Sequence, residues 1–466
     1  MTSPRDIVVI GSGPGGYVAA IRAAKRGGKV QLVEMDEVGG TCLNRGCIPS
    51  KTLLAGASRL LMLKKSSAWG ITAPGGFSFD WNTLVRHKDK VVAGLRRGIE
   101  YLLKKNGITL IRGRGILNGP GCVKVQTPEG SRDLNCCAVI LASGSRSLDV
   151  SAFPADHERI ITSDDALSLK TLPESLIIVG GGVIGCEFAS LFTAFGVRVT
   201  LVEALPRLLG VTDIDDEIAQ RLEQIMKKSG VTLALGTPLV RIVTDRRETG
   251  VTAVLADGRE YNADKALVAV GRRAVSEGLG LESVALQPDR RGFLSVDDHM
   301  RTEAPGIYAI GDLNGRWQLA HAASFQGIIA ADDAMGHEAH PMIEAAVPSC
   351  IFTIPPIAAV GMSAGKAREN GIHCEEGIFP YRALGKAAAM DEMEGIVKVI
   401  VEKESGRILG ANILGEGAPE MIHELALAIR RGLTAADVME TVHAHPTFSE
   451  AIPEAVEAIF GLGIHA

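Results

Sequence analysis

Aromatic residues are scarce in this chain of 466 residues: Phe, Trp and Tyr together make up 4% of it. That scarcity, beside 54 glycines, disfavours an all-β sandwich and suits α/β folds with many tight strand-to-helix turns. An excess of positive charge is also lacking. The net charge is −5 and no long basic run occurs, which argues against a nucleic-acid binder. A membrane-length apolar run is missing too: the longest stretch, Leu176 to Val197, carries Glu187 and five glycines. The first strand starts by about Ile7, which leaves no room for a signal or transit peptide, so a cytoplasmic location is expected. Eight cysteines are too few for a secreted disulfide scaffold of this length, and no metal site is read from the chain. Cys122, Cys136, Cys137, Cys186, Cys350 and Cys374 lie among apolar neighbours and read as small core residues. Only Cys42 and Cys47 sit in a setting that points to chemistry.

A chain of this length exceeds one ordinary core, and roughly two to four domains are expected. The opening reads as a strand (Ile7 to Ile10), a glycine turn (Gly11 to Gly16), a helix from about Tyr17 to Arg26, and a strand ending in Glu34. The same pattern recurs: strand Leu176 to Val179, turn Gly180 to Gly185, a helix to about Phe195, and a strand ending in Glu203. In both copies the acid lies 23 positions after the first glycine. One such turn is weak evidence; two in the same frame read as a duplicated dinucleotide-binding architecture. From about Pro348 onward an α+β region appears, with strand candidates 395–401 and 407–413 and a helix from Glu420 to Arg431. Thr434 with Asp437 resembles a helix-start cap.

The glycine turns meet the charge of a pyrophosphate. A helix N-terminus offers free backbone N–H groups and the positive end of its dipole. Gly11 and Gly13 let the backbone turn and approach the phosphates, Gly16 lets the helix pack on the strand, and Gly180, Gly182 and Gly185 repeat the device. Glu34 and Glu203 are placed to accept hydrogen bonds from ribose diols, and Glu203 favours NAD over NADP, with Arg207 as a complication.

Cys42 and Cys47 cannot both lie on one regular helix and still come within disulfide reach. A bridge requires Cys42 in a non-helical lead-in and Cys47 near a helix start, with Gly39, Gly40 and Gly46 giving the bend and Pro49 tolerated in a first turn. A thiol at a helix N-terminus has a lowered pKa, as an exchanging thiolate requires, and Lys51 one turn on adds positive charge. A dithiol beside two nucleotide sites implies an electron relay. Nicotinamide does not readily open a disulfide, whereas flavin exchanges electrons with both, so one site is expected to hold FAD and the other NAD.

The segment Gly39-Gly40-Thr41-Cys42 to Cys47-Ile48-Pro49-Ser50-Lys51 resembles the redox signature of the class I flavoprotein disulfide reductases. Ile310-Gly311-Asp312 resembles their second FAD motif, and His443 to Glu450 resembles their His–Glu segment. The likeness runs over essentially the whole chain, in order. It implies two Rossmann-like dinucleotide-binding domains, for FAD and NAD, plus a C-terminal α+β dimerisation domain. The expected boundaries are 1–147 for FAD and the redox cysteines, 148–271 for NAD, 272–345 completing the FAD site, and 346–466 for the interface.

Carried over residue by residue, the resemblance makes Cys47 the thiol nearest the flavin and Cys42 the interchange thiol. His445 becomes the acid–base residue, oriented by Glu450, and Lys51 pairs with Glu187 beside the flavin. Asp312 would hold the ribityl chain, and Gly144, Gly271, Arg272 and Ala320 join the cofactor-binding residues. In such proteins the His–Glu segment enters the active site from the other subunit, which implies a homodimer. Within the family the likeness is greatest to members that oxidise protein-bound dihydrolipoamide with NAD⁺. That implies a lipoylated acyltransferase or lipoyl carrier protein as partner and a small dithiol as substrate. The alternatives are a relative reducing glutathione or another low-molecular-weight disulfide, and a non-catalytic nucleotide-binding redox sensor. The chain departs from the family at Ser143 (usually Thr), at Pro355-Pro356, and after Arg272-Arg273, where Pro-Asn is common. His321 and His443 are open between lining the site and supporting it.

Overall fold

Strand Asp6–Ile10 is apolar after its first residue and buried on both faces, as a parallel strand sandwiched by helices must be. It pairs in parallel with Lys29–Glu34 on one side and Ala138–Leu141 on the other. The computed structural model, which describes residues 5–244 and 250–465, extends this sheet to five strands. Thr109–Arg112 lies at one edge and Ile307–Ala309 at the other, all parallel. The last of these strands comes from far down the chain, so the first nucleotide unit is closed by a segment that follows the second.

The second unit repeats the first. Its parallel sheet runs Thr232–Ala234, Arg198–Val202, Ser175–Val179, Lys265–Val268 and Ile160–Ile161. Each unit also carries a three-stranded antiparallel sheet, 114–135 in the first and 239–263 in the second. The chain passes between the units through a ribbon in which Ser145–Ser147 pairs antiparallel with Arg272–Ala274.

The C-terminal region is a five-stranded antiparallel sheet in the order Ser349–Ile351, Ile357–Gly361, Ile408–Leu414, Ile396–Glu402, Cys374–Pro380. Helix Ala418–Arg431 covers it with Met421, Ile422 and Leu425 buried and Ile429 packed at the rim. Fully burying a side chain such as Leu425 contributes about 1.5–3 kcal/mol. Thr434 and Asp437 form the expected reciprocal cap of the next helix. The sheet meets the second nucleotide unit through a buried charge cluster. Lys398 Nζ lies 3.0 Å from Asp215 and 2.6 Å from Glu376, and Asn412 accepts the Asp215 N–H at 3.1 Å.

Two expectations need correction. The first helix spans Pro14–Lys25, starting earlier than expected because Pro14 occupies its opening turn, where a missing N–H costs nothing. Of the six cysteines read as core residues Cys186 is buried, and Cys136 and Cys350 are half-buried against core clusters; Cys122 and Cys374 are half-buried outside them and Cys137 is exposed. Cys122 and Cys374 open strands, and Cys137 lies between two strands. These are places where apolar neighbours in sequence do not close over a side chain.

Candidate active site

Two turns are built alike to the level of single atoms. A Cβ on Gly11 would lie 2.3 Å from the Ala142 carbonyl oxygen, and one on Gly180 would lie 2.5 Å from that of Ala269. Both glycines hold positive φ, +98° and +108°. A Cβ on Gly16 or Gly185 would lie 1.9 or 1.8 Å from the carbonyl oxygen of the first glycine of its own turn. Gly13 and Gly182, at the helix N-caps, have nothing within 4 Å of an added Cβ, so these positions face open space. Glu34 accepts the Ser12 N–H at 2.8 Å and the Ser12 hydroxyl at 2.6 Å. Glu203 accepts the Gly181 N–H at 2.5 Å. Each acid is thereby fixed across its turn. Arg207, the complication for NAD, pairs with Asp216 at 3.0 Å.

A cavity of about 1410 Å³ takes in both the first turn and the cysteines. It is larger than the 300–1,000 Å³ of ordinary small-ligand pockets and suits a dinucleotide. Gly11, Gly13, Glu34, Gly144, Asp312, Ala320 and Arg272 line it, as do Cys42, Cys47, Lys51 and Glu187. Ala320 is the first residue of helix Ala320–Ala334, so a second helix N-terminus opens there.

Cys42 departs from the expected lead-in: it lies within the short helix Gly40–Arg45. Gly46, at φ −142° and ψ −115°, breaks the path, and Cys47 begins a new helix, Cys47–Lys65, of 19 residues. That break, not an extended approach, folds the two thiols together. The two thiols perturb each other. Interaction with the Cys42 thiol lowers the Cys47 thiol to about 7, helped by the nearby Lys51 charge and opposed by burial and Glu187. The same interaction and burial push the Cys42 thiol up. Pro49, third in its helix, is tolerated there.

Lys51 Nζ lies 2.8 and 2.7 Å from the two Glu187 oxygens and stacks 4.6 Å above the Phe352 ring. Glu187, whose side chain is 9% exposed, also accepts the Phe352 N–H at 3.0 Å. The buried carboxylate is thus paired and hydrogen-bonded, as a charge in a cavity wall must be.

His445 Nδ1 lies 2.8 Å from Glu450 Oε1, and Glu450 Oε2 accepts the Thr447 N–H at 2.7 Å. The Thr447 bond and the His445 partner hold the Glu450 carboxyl below its usual range against the effect of burial. The expected loop-to-helix transition is present, a 3₁₀ turn at Phe448–Glu450 leading into Ala451–Ile459. The His445 side chain is 78% exposed, and neither it nor Glu450 lines the cavity. His443 does not line the cavity: its ring is nearly buried and bridges Glu424 at 2.9 Å and the Thr441 carbonyl at 2.8 Å. His321 lines the cavity and bonds the Pro348 carbonyl at 2.7 Å. Gly180, Gly182, Gly185, Glu203 and Gly271 lie outside the cavity, while Val183, Ile184 and Phe188 from the second unit's helix reach it. Gly271 has φ +127° and its carbonyl accepts the Leu148 N–H at 3.0 Å beside the ribbon, a backbone role.

Sequence reasoning missed Ser145 and Asp164, both in the cavity wall. Ser145 donates to Asp312 and accepts from Arg272 Nε at 2.7 Å. Burial pushes the Asp164 carboxyl up against the pull of Arg272 and Arg45. A serine following a glycine turn carries no signal by which it could have been found.

Two nucleotide turns and a thiol pair at a helix start, sharing one fold with an antiparallel interface sheet, define a nucleotide-linked disulfide oxidoreductase. The family model described as pyridine nucleotide-disulphide oxidoreductase matches residues 5–327, and that of its dimerisation domain matches 347–456, so the chain belongs to this family. It is 43% identical to dihydrolipoyl dehydrogenase of Chlamydia muridarum, covering 97% of this chain and 96% of that one. It is 38% identical to dihydrolipoyl dehydrogenase of Bacillus subtilis, with both chains fully covered. Among solved structures, LpdA of Mycobacterium tuberculosis superposes with a TM-score of 0.90 at 30% identity, covering 97% of this chain and 99% of that one. The hypochlorous-acid-induced flavoprotein disulfide reductase RclA of Escherichia coli superposes at 0.86 and 29% identity, covering 97% of this chain and 100% of that one.

Proposed function

We propose that the protein is a dihydrolipoyl dehydrogenase that oxidises protein-bound dihydrolipoamide to lipoamide with NAD⁺ as acceptor, through FAD and the Cys42–Cys47 pair. The observation that carries this reading is that the dithiol and the first nucleotide turn open into one cavity. The residues present fit the cofactors: Gly13 and Gly182 leave open space at helix N-termini, and Glu34 and Glu203 are anchored beside them. FAD would lie along Gly11, Gly13, Glu34, Gly144 and Asp312, and NAD⁺ at Gly180, Gly182 and Glu203. The flavin supplies the two-electron exchange between the dithiol and NAD⁺. The chain reads as domains 1–147, 148–271, 272–345 and 346–466, working in the cytoplasm.

The chain's own residues perform thiol exchange. With Cys42 and Cys47 joined as a disulfide, His445 takes a proton from one substrate thiol, and the resulting thiolate attacks Cys42 Sγ. The Cys42–Cys47 bond breaks, and Cys47 leaves as a thiolate stabilised by its helix N-terminus and Lys51. The second substrate thiol then attacks the substrate sulfur bonded to Cys42. Its proton passes to Cys42, and the cyclic disulfide leaves. Glu450 holds one His445 tautomer and supports the protonated ring. His445 is exposed and does not line the cavity that the thiols of its own chain share, which supports a base supplied by the partner of a homodimer. The lipoyl group comes from a lipoylated acyltransferase or carrier protein.

Anaerobic titration with dihydrolipoamide, then NAD⁺, tests the reading through the flavin spectrum. Reduction by the dithiol followed by reoxidation is expected. Negligible turnover, with brisk reduction of glutathione disulfide instead, would replace this substrate class by a low-molecular-weight disulfide.

A further inference from the structure

Ser145 opens the ribbon by which the chain crosses from the first nucleotide unit to the second, and Arg272 opens its returning strand. Both line the cavity, opposite the turn that bears Asp312. The Ser145 hydroxyl touches two groups: Asp312 Oδ2, and Arg272 Nε at 2.7 Å. The direction of these bonds is settled by chemistry. A guanidinium has no acceptor and an ionised carboxylate no proton, so the single Ser145 proton goes to Asp312 and its lone pair faces Arg272. Arg272 also donates to the Ser145 carbonyl oxygen at 2.7 Å, gripping the residue at two points.

The backbone of the Asp312 turn is held independently from below. The Gly311 N–H donates to Gln326 Oε1 at 2.7 Å, and Asn314 Nδ2 donates to the same oxygen at 3.0 Å. Gln326 is fully buried. These bonds set where the Asp312 Cα sits but leave its carboxylate free to rotate. Among the described residues, the hydroxyl of Ser145 is what fixes that rotation, and it leaves Oδ1 for a ligand hydroxyl.

We propose that Ser145 and Arg272 are positioning residues that aim the Asp312 carboxylate at the polyol chain of the flavin nucleotide. Flavin retention therefore depends on the crossing between the two units. This rests on the reading that the cavity holds FAD. Asp164, in the first turn of helix Ser163–Ala166, lines the same cavity as Arg272.

The test is to strip FAD from the full-length protein and from variants, and to measure rebinding by flavin fluorescence together with melting of each apoprotein. Ser145→Ala is expected to weaken FAD binding about 10-fold, the size of a hydrogen bond to a charged group, with apoprotein melting unchanged. Arg272→Lys keeps the charge but loses the Nε contact; it is expected to weaken binding less, and to add little in the double variant with Ser145→Ala. On an Asp312→Ala background, Ser145→Ala is expected to cost nothing further. Wild-type affinity in both single variants, additive losses with Asp312→Ala, or apoprotein melting that falls with affinity would each overturn the proposal. Should Ser145→Ala fail to fold, Arg272→Lys with and without Asp312→Ala decides by the same criteria. A wild-type chain that does not rebind FAD would instead overturn the reading of the cavity.

Discussion

Cys47 opens a helix of 19 residues while Cys42 sits in the short helix before it, and the neighbouring Cys42 thiol and the Lys51 charge pull the Cys47 thiol down to about 7. The pair is therefore asymmetric: one sulfur is favoured as thiolate and the other as thiol. In the reduced protein, thiolate absorbance is expected to appear for one cysteine with a midpoint near 7 and to vanish as pH falls through that value. The sign follows from a lowered acid pKa: the charged form exists above it. Cys42→Ala removes the neighbouring thiol and Lys51→Met removes the charge, and each is expected to move the midpoint upward. Cys42→Ser keeps a donor and should shift it less. Two thiolates titrating together would contradict the asymmetry.

In the proposed mechanism the His445–Glu450 pair serves the thiol half-reaction alone. His445→Gln is expected to slow dithiol oxidation by about 10²–10⁴-fold while flavin reduction by NADH persists. Glu450→Gln leaves the imidazole in place and should cost less. Stopped-flow measurement of the two half-reactions separates them, and equal losses in both would reject the assignment.

Because His445 lies outside the cavity of its own chain, a damaged base and a damaged thiol on different chains should complement. Mixed refolding of Cys42→Ser chains with His445→Gln chains is expected to restore dithiol oxidation absent from either alone. If the mixture stays inactive while forming dimers, each site is built from one chain.

Gly182 and Gly185 are close in sequence and opposite in surroundings. A side chain at Gly182 enters open space, so Gly182→Leu is expected to fold and keep FAD while NADH affinity falls at least about 10-fold. Gly185→Ala forces a Cβ to 1.8 Å from the Gly180 carbonyl oxygen and is expected to destabilise by about 3 kcal/mol or more. Calorimetry for binding and urea unfolding for stability distinguish the two.

Lys398 joins Asp215 and Glu376, with its own side chain 7% exposed. Lys398→Met leaves the buried Asp215 carboxylate without its cation, while Glu376 keeps Arg368 at 2.8 Å, and is expected to cost about 3–5 kcal/mol of unfolding free energy. The companion variant with Asp215→Asn and Glu376→Gln should recover part of that loss.

The nucleotide turns, the cysteine segment and the interface helix were legible because each is local: spacing, glycine placement and apolar period act within a few residues. Cys42 was misplaced because the break at Gly46 is a matter of backbone angles, which glycine permits without dictating. Cys122, Cys137 and Cys374 were misread because burial depends on what covers a strand end. The residue sequence by itself determined the two phosphate turns, the thiol pair at a helix start, and the α/β class, since short-range sterics and helix electrostatics decide them. The family resemblance implied Lys51 with Glu187 and a His445 that serves another subunit; only the tertiary structure decided that Ser145 stands between Arg272 and Asp312. Such contacts depend on how sheets dock and where the ribbon crosses, and partners more than a hundred residues apart leave no mark in local sequence.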